Sequence, residues 1–226
     1  MIKYAFEYTD GAMMYYELDE NAYYPEAGTV LEGEWLNLEE FKCRICTIDP
    51  ETHPQCPAAM ALWPVLRDFG HRISHEPVNV QVDWTDVHLE AVTSTQQAVR
   101  SMVGLMLALC RCPVMEKLRP MAHFHLPFAD AAHTQFRVLG MYLIAQYLRE
   151  NSGMEPDWTL EGLLQNYREL QHANRRLAER IRAASETDAA VNGLIILDAL
   201  AQSVEMGINQ NLKKLRPLFE MYMDPE

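Results

Sequence analysis

VNVQVDW, residues 78–84, alternates apolar and polar positions, whereas STQQAVRSMVGLMLAL, residues 94–109, repeats its apolar residues every three or four. In an extended chain Val78, Val80, Val82 and Trp84 share one side. On a helix Val99, Met102, Leu105, Met106 and Leu109 share one face, and Ser94 stands where a cap belongs. This change of period near Thr93 divides the chain. Residues 1–92 are expected to form an α+β front domain, and residues 93–226 a helical bundle of about four helices packed against it.

Toward the N-terminus, Ile2–Tyr8 and Ala12–Leu18 are rich in β-formers and are joined by Thr9-Asp10-Gly11, whose Asp-Gly pair favours a hairpin turn. His88–Val92 is expected to pair with residues 78–84, so the sheet is small and antiparallel: the hairpin plus one or two further strands. Residues 21–41 carry Pro25, Gly28, Gly33 and five glutamates, which suits an irregular acidic connection. After Cys56-Pro57 the spacing of Ala58, Leu62, Val65, Leu66 and Phe69 predicts a helix over the sheet, ending at Gly70. In the bundle, Asp130 begins a second helix that stops at Asn151-Ser152-Gly153, and a third runs from about Thr159 to Ala184. Ser185 and Asp188 resemble a capping box for a fourth, expected to bend near Gly207.

A chain of 226 residues buries roughly 70–75% of its unfolded surface, so it needs no crosslink for stability. A net charge of −13 argues against nucleic acid and anionic membranes as partners, because a polyanion repels an acidic surface. The expected partner, if any, is another protein, and the chain is expected as a monomer or a homodimer. The first residues lack a signal pattern and the apolar run at Met102–Cys110 is too short for a bilayer, so the cytoplasm is the expected compartment. Five cysteines, an odd number, cannot form a complete disulfide set.

Three of those cysteines and a histidine crowd together as Cys43-x2-Cys46-x6-His53-x2-Cys56, and Cys110 and Cys112 follow downstream. Such spacing is that of a metal knuckle closed by a distant ligand, because thiolates are soft anionic donors suited to a tetrahedral set. Cys43, Cys46, Cys56 and Cys112 are the expected ligands, with His53 as a substitute for one of them. Pro57 and Pro113 follow Cys56 and Cys112 and hold each sulfur rigidly at a helix boundary. Zinc is the leading ion, and an iron–sulfur cluster is the alternative kept open by the Cys-Pro pairs. A thioredoxin-like pair fits less well, since this Cys-x2-Cys opens a loop rather than a helix.

Between Pro120 and Pro127, His123 and His125 are two apart in a segment expected to be extended, which would face them to one side. Either they bind a metal or substrate, or one imidazole satisfies buried backbone and the other is exposed. His125, flanked by Phe124 and Leu126, is the better candidate.

With these residues in view, the chain resembles an uncharacterised, mainly proteobacterial family. Its shared pattern is a Cys-x2-Cys knuckle ending in His53-Pro54-Gln55-Cys56-Pro57, the later Cys112-Pro113, and the Pro-Met-Ala-x-Phe-His-Leu-Pro-Phe segment of residues 120–128. The likeness extends over nearly the whole chain. It implies no activity, but it points to Cys43, Cys46, Cys56, Cys112 and His125, and leaves Cys110 and His123 outside the pattern.

Elsewhere, Leu163, Tyr167, Leu170, Asn174, Leu177, Ile181 and Ala184 form an apolar seam in which Asn174 reads as a core amide before a dimer-register device. Arg168, Arg175 and Arg182 repeat every seven residues and read as a solvated face. Asp198 in an apolar helix is expected to meet a basic partner at the bundle surface. No glycine-rich phosphate loop, nucleophile elbow or zincin helix is present. The leading reading is therefore a zinc-stabilised, non-enzymatic interaction or regulatory protein. A metal-dependent enzyme with an inter-domain site near His125, or an iron–sulfur or redox sensor, are the alternatives.

Overall fold

A computed structural model describes residues 1–184, 189–210 and 212–223. Its sheet has four strands, β1 (Ile2–Tyr8), β2 (Met13–Leu18), β3 (Pro77–Trp84) and β4 (Val87–Ser94), in the order β2-β1-β3-β4 with every pair antiparallel. Tyr4 stands between Tyr16 and Val82 in this register. Alternation decides the faces: Ile2, Tyr4, Phe6, Tyr8, Val78, Val80 and Val82 are buried, while Lys3 and Glu7 between them are exposed. The Asp-Gly turn forms, with Gly11 at φ 86° donating to Tyr8 O and the Tyr8 N–H donating to Ala12 O.

Helix α1 (Pro57–Phe69) follows Cys56 and brings Phe69 onto the sheet, 5.0 Å from the Phe6 ring in an edge contact. Five more α-helices follow among the described residues: α2 (Thr95–Leu109), α3 (Arg119–His123), α4 (Ala131–Asn151), α5 (Glu161–Ala184) and α6 (Ala189–Asn209). The four long helices expected from periodicity are all present, and short α3 and 3-10 turns at Glu34–Leu36, Met115–Leu118 and Arg216–Tyr222 raise the helix count above the expected number. These short pieces have too few residues to show a period. One cluster of buried side chains runs from Ile2 in the sheet to Leu215 beyond α6. Among the described residues no helix is long and apolar enough to cross a membrane.

Several local expectations change. The His-Phe-His segment is not extended: residues 119–123 wind into α3, which exposes His123 and turns His125 inward to Tyr4. Pro120 sits in the first turn of that helix, where its missing N–H is no loss. Ser94 makes no side-chain cap. The first amides of α2 instead donate to Glu76 O and Ser74 O, so a loop satisfies the helix start. Asp130 does cap α4, accepting from the His133 N–H at 2.8 Å. The capping box at Ser185 and Asp188 lies outside the described residues. Gly207 is inside α6 with no break. Its lack of a Cβ lets Gln135 of α4 approach, and Gln135 Nε2 donates to Ser203 O at 2.7 Å.

Candidate functional site

The stretch before α1 is held by paired backbone: Leu38 N–H donates to Pro54 O and Cys56 N–H to Leu36 O, both at 2.8 Å. These bonds place Cys56 at the start of α1 beneath the loop that carries Cys43 and Cys46. The Cys46 N–H donates to Cys43 O at 2.9 Å, closing the Cys-x2-Cys turn. Cys112 enters from the turn after α2, where Glu116 N–H donates to its carbonyl. Cys43, Cys46, Cys56 and Cys112 all line one cavity of about 20 Å³, closed by Leu38, Leu177 and Arg180.

Burial pushes the Cys43 thiol up to about 11, helped by the neighbouring Cys56, Cys112 and Cys46 and opposed by Arg180. Burial likewise pushes Cys112 up to about 11, against the backbone amides of Met115 and Val114, which favour a thiolate. Arg180 of α5 is fully enclosed. Its Nη1 donates to Trp35 O at 2.6 Å and Asn37 O at 2.8 Å, while Nη2 is buried with no partner among the described residues.

Among the described residues no group of three or more His, Cys, Asp and Glu side chains is arranged to hold a metal ion. The metal knuckle expected in the fold is thus a loop with its thiols around one small space, not a formed ligand set. Of the four cysteines Cys56 is buried, while Cys43, Cys46 and Cys112 are half-buried. His53 is exposed, 3.0 Å from Thr52 Oγ1 through Nδ1, and does not line this cavity. Cys110 is fully buried and its thiol donates to Leu107 O at 3.1 Å, the bond of a satisfied core cysteine.

His125 faces a different cavity, bounded by α2, α4, α5 and α6, whose lining has no cysteine, aspartate or glutamate. Its Nε2 lies 2.5 Å from Tyr4 Oη, and burial, then Arg137, lower its pKa to about 3, so the imidazole is neutral. A metal at His125 would find no second ligand of these types among those lining residues.

A family model described as Domain of unknown function (DUF6901) matches residues 2–220. The chain belongs to this family. No curated protein and no solved structure matches it.

Arg100, Arg137 and Arg180, which line the two cavities, are not singled out by the sequence. Arg100 had a legible signal, a cation inside the apolar run Ala98-Val99-Arg100-Ser101-Met102. Arg180 had none, because its partners are backbone carbonyls more than 140 residues away. Asp198 meets no basic side chain among the described residues: it accepts from Gln202 Nε2 at 2.8 Å, one turn on, and its Oδ1 is buried without a partner. Arg168 pairs with Glu205 of α6 at 2.9 Å.

Proposed function

We propose that this protein is a zinc-stabilised, non-enzymatic interaction or regulatory protein, in which Cys43, Cys46, Cys56 and Cys112 hold one ion. The observation that carries the reading is that four thiols from three separate segments line the same small cavity. Rotation of the sulfurs inward on losing their protons would complete a four-thiolate set, which is the closed arrangement of a structural zinc. A space of about 20 Å³ suits a single ion, being near the volume one water needs, and an iron–sulfur cluster would demand more room. The amides of Val114 and Met115 facing Cys112, and the Arg180 guanidinium near Cys43, both favour ionised sulfur. Such an ion would tie the loop, the start of α1 and the end of α2 together.

The interaction role is supported by α4, where Phe136, Leu143, Ile144, Tyr147 and Leu148 lie along one side and are exposed. Contiguous exposed apolar area of this kind marks surfaces that meet another protein.

Elemental analysis of protein purified without added metal, with a visible spectrum recorded anaerobically, tests the reading. The expected result is one zinc per chain and no visible band. Cys56→Ser and Cys112→Ser are expected to lose the ion and melt lower by about 6–12 °C, the shift for a loss of ~3 kcal/mol in a chain of this size. Cys110→Ser is expected to keep its zinc. Metal-free protein, or melting temperatures unchanged in both ligand variants, would refute the assignment.

A further inference from the structure

The cavity beside His125 holds about 130 Å³ and is walled mainly by aliphatic side chains, among them Leu105, Leu170, Leu197 and Leu200. Two guanidinium groups line it, and no carboxylate does. Arg100 of α2 is only 8% exposed and has no hydrogen bond or ion pair among the described residues. Arg137 of α4 donates through Nη2 to Met121 O at 2.9 Å and Phe124 O at 2.6 Å, and its buried Nε has no partner among the described residues. Tyr167, on α5, is buried as a residue and lines the cavity, and its hydroxyl has no hydrogen bond among the described residues.

Leaving a mostly buried cation without a protein partner is costly. The arrangement becomes favourable when an anion enters. A guanidinium fork is matched to a two-oxygen acceptor, and the aliphatic walls require the rest of the ligand to be apolar. In size the cavity is close to one of roughly 150 Å³ that accepts benzene.

We propose that this cavity is a binding site for a small organic monocarboxylate with an apolar body, its carboxylate held by Arg100 and Arg137 with Tyr167 as a neutral donor. The site is independent of the thiol cavity, with which it shares no lining residue. His125 lines it as a neutral group held by Tyr4, so it adds no third charge to repel or attract the ligand. Removing Arg100 takes away a buried charge that the empty protein does not use, so the unliganded fold keeps its stability while binding is lost. A purely structural arginine would give the opposite pattern.

Benzoate and isovalerate serve as probes for the full chain, titrated calorimetrically and by thermal shift, with benzamide as the uncharged analogue of benzoate and inorganic phosphate as an anion without an apolar body. The expected result is a saturable rise in melting temperature with at least one carboxylate and none with benzamide or phosphate. In Arg100→Met the affinity is expected to fall about ten- to a hundredfold, the factor for losing a charged hydrogen bond, with the ligand-free melting temperature unchanged or higher. Equal binding of benzamide, a response to phosphate alone, no binding of either carboxylate at millimolar concentration, or full binding by Arg100→Met would each overturn the proposal. The wild-type comparison of benzoate with benzamide decides the matter even if the variant does not fold.

Discussion

Arg180 and His125 show how far a single buried side chain can organise its surroundings. The Arg180 guanidinium satisfies the carbonyl of buried Trp35 and that of Asn37 at the end of the 3-10 turn. Arg180→Ala is expected to destabilise the protein by about 2–4 kcal/mol, from two orphaned carbonyls and a lost packing stem, measured by urea denaturation. His125 makes a prediction in pH. Its folded pKa, about 3, lies below the ordinary 6.5, so below pH 6.5 the unfolded chain takes up a proton that the native state refuses. The stabilising contribution is complete above pH 6.5 and is lost as pH falls toward 3. By pH 4 the wild type should have lost up to about 3 kcal/mol more than His125→Asn. Parallel stability curves for the two proteins would show that the imidazole does not carry this dependence.

Among the elements, the α4–α6 crossing is one where a glycine decides the distance. A Cβ on Gly207 would come within 2.9 Å of the Gln135 amide, which is buried and bonded to Ser203 O. Gly207→Ala is therefore expected to destabilise the wild type, although alanine favours a helix by about 1 kcal/mol over glycine. In a Gln135→Ala background the clash is gone and the same substitution should stabilise. A double-mutant cycle is expected to give a coupling of about 1–2 kcal/mol, and additive effects would deny the contact. Gly207 also shows where element-level reading stops. A glycine in a helical pattern reads as a weak point, and only the neighbouring helix reveals it as a point of close approach. The same holds for Ser94, whose capping role is taken by carbonyls of a loop some 20 residues earlier. Strong periods, by contrast, were read correctly: β1 to β4, α1, α2, α4 and α5 all stand where alternation or three-and-four spacing put them.

For the whole molecule, the buried cluster that joins sheet and bundle means that any zinc is a local tie and not the source of the fold. Stripping the ion with a chelator should lower the melting temperature while leaving the far-ultraviolet circular dichroism at 25 °C unchanged. A collapse of that signal would show that folding itself depends on metal. What the amino-acid order determined without help is whatever repeats locally: the antiparallel hairpin, the alternation of the further strands, the long helices and the Asp-Gly turn. Period and turn chemistry act between residues a few positions apart, so they survive in a linear reading. The tertiary structure alone decided that Arg180 reaches Trp35, and that Arg100 and Arg137 line one cavity whose lining holds no carboxylate. Those proximities arise from the packing of distant elements, whose shared burial fixes which side chains meet, and no local spacing encodes them.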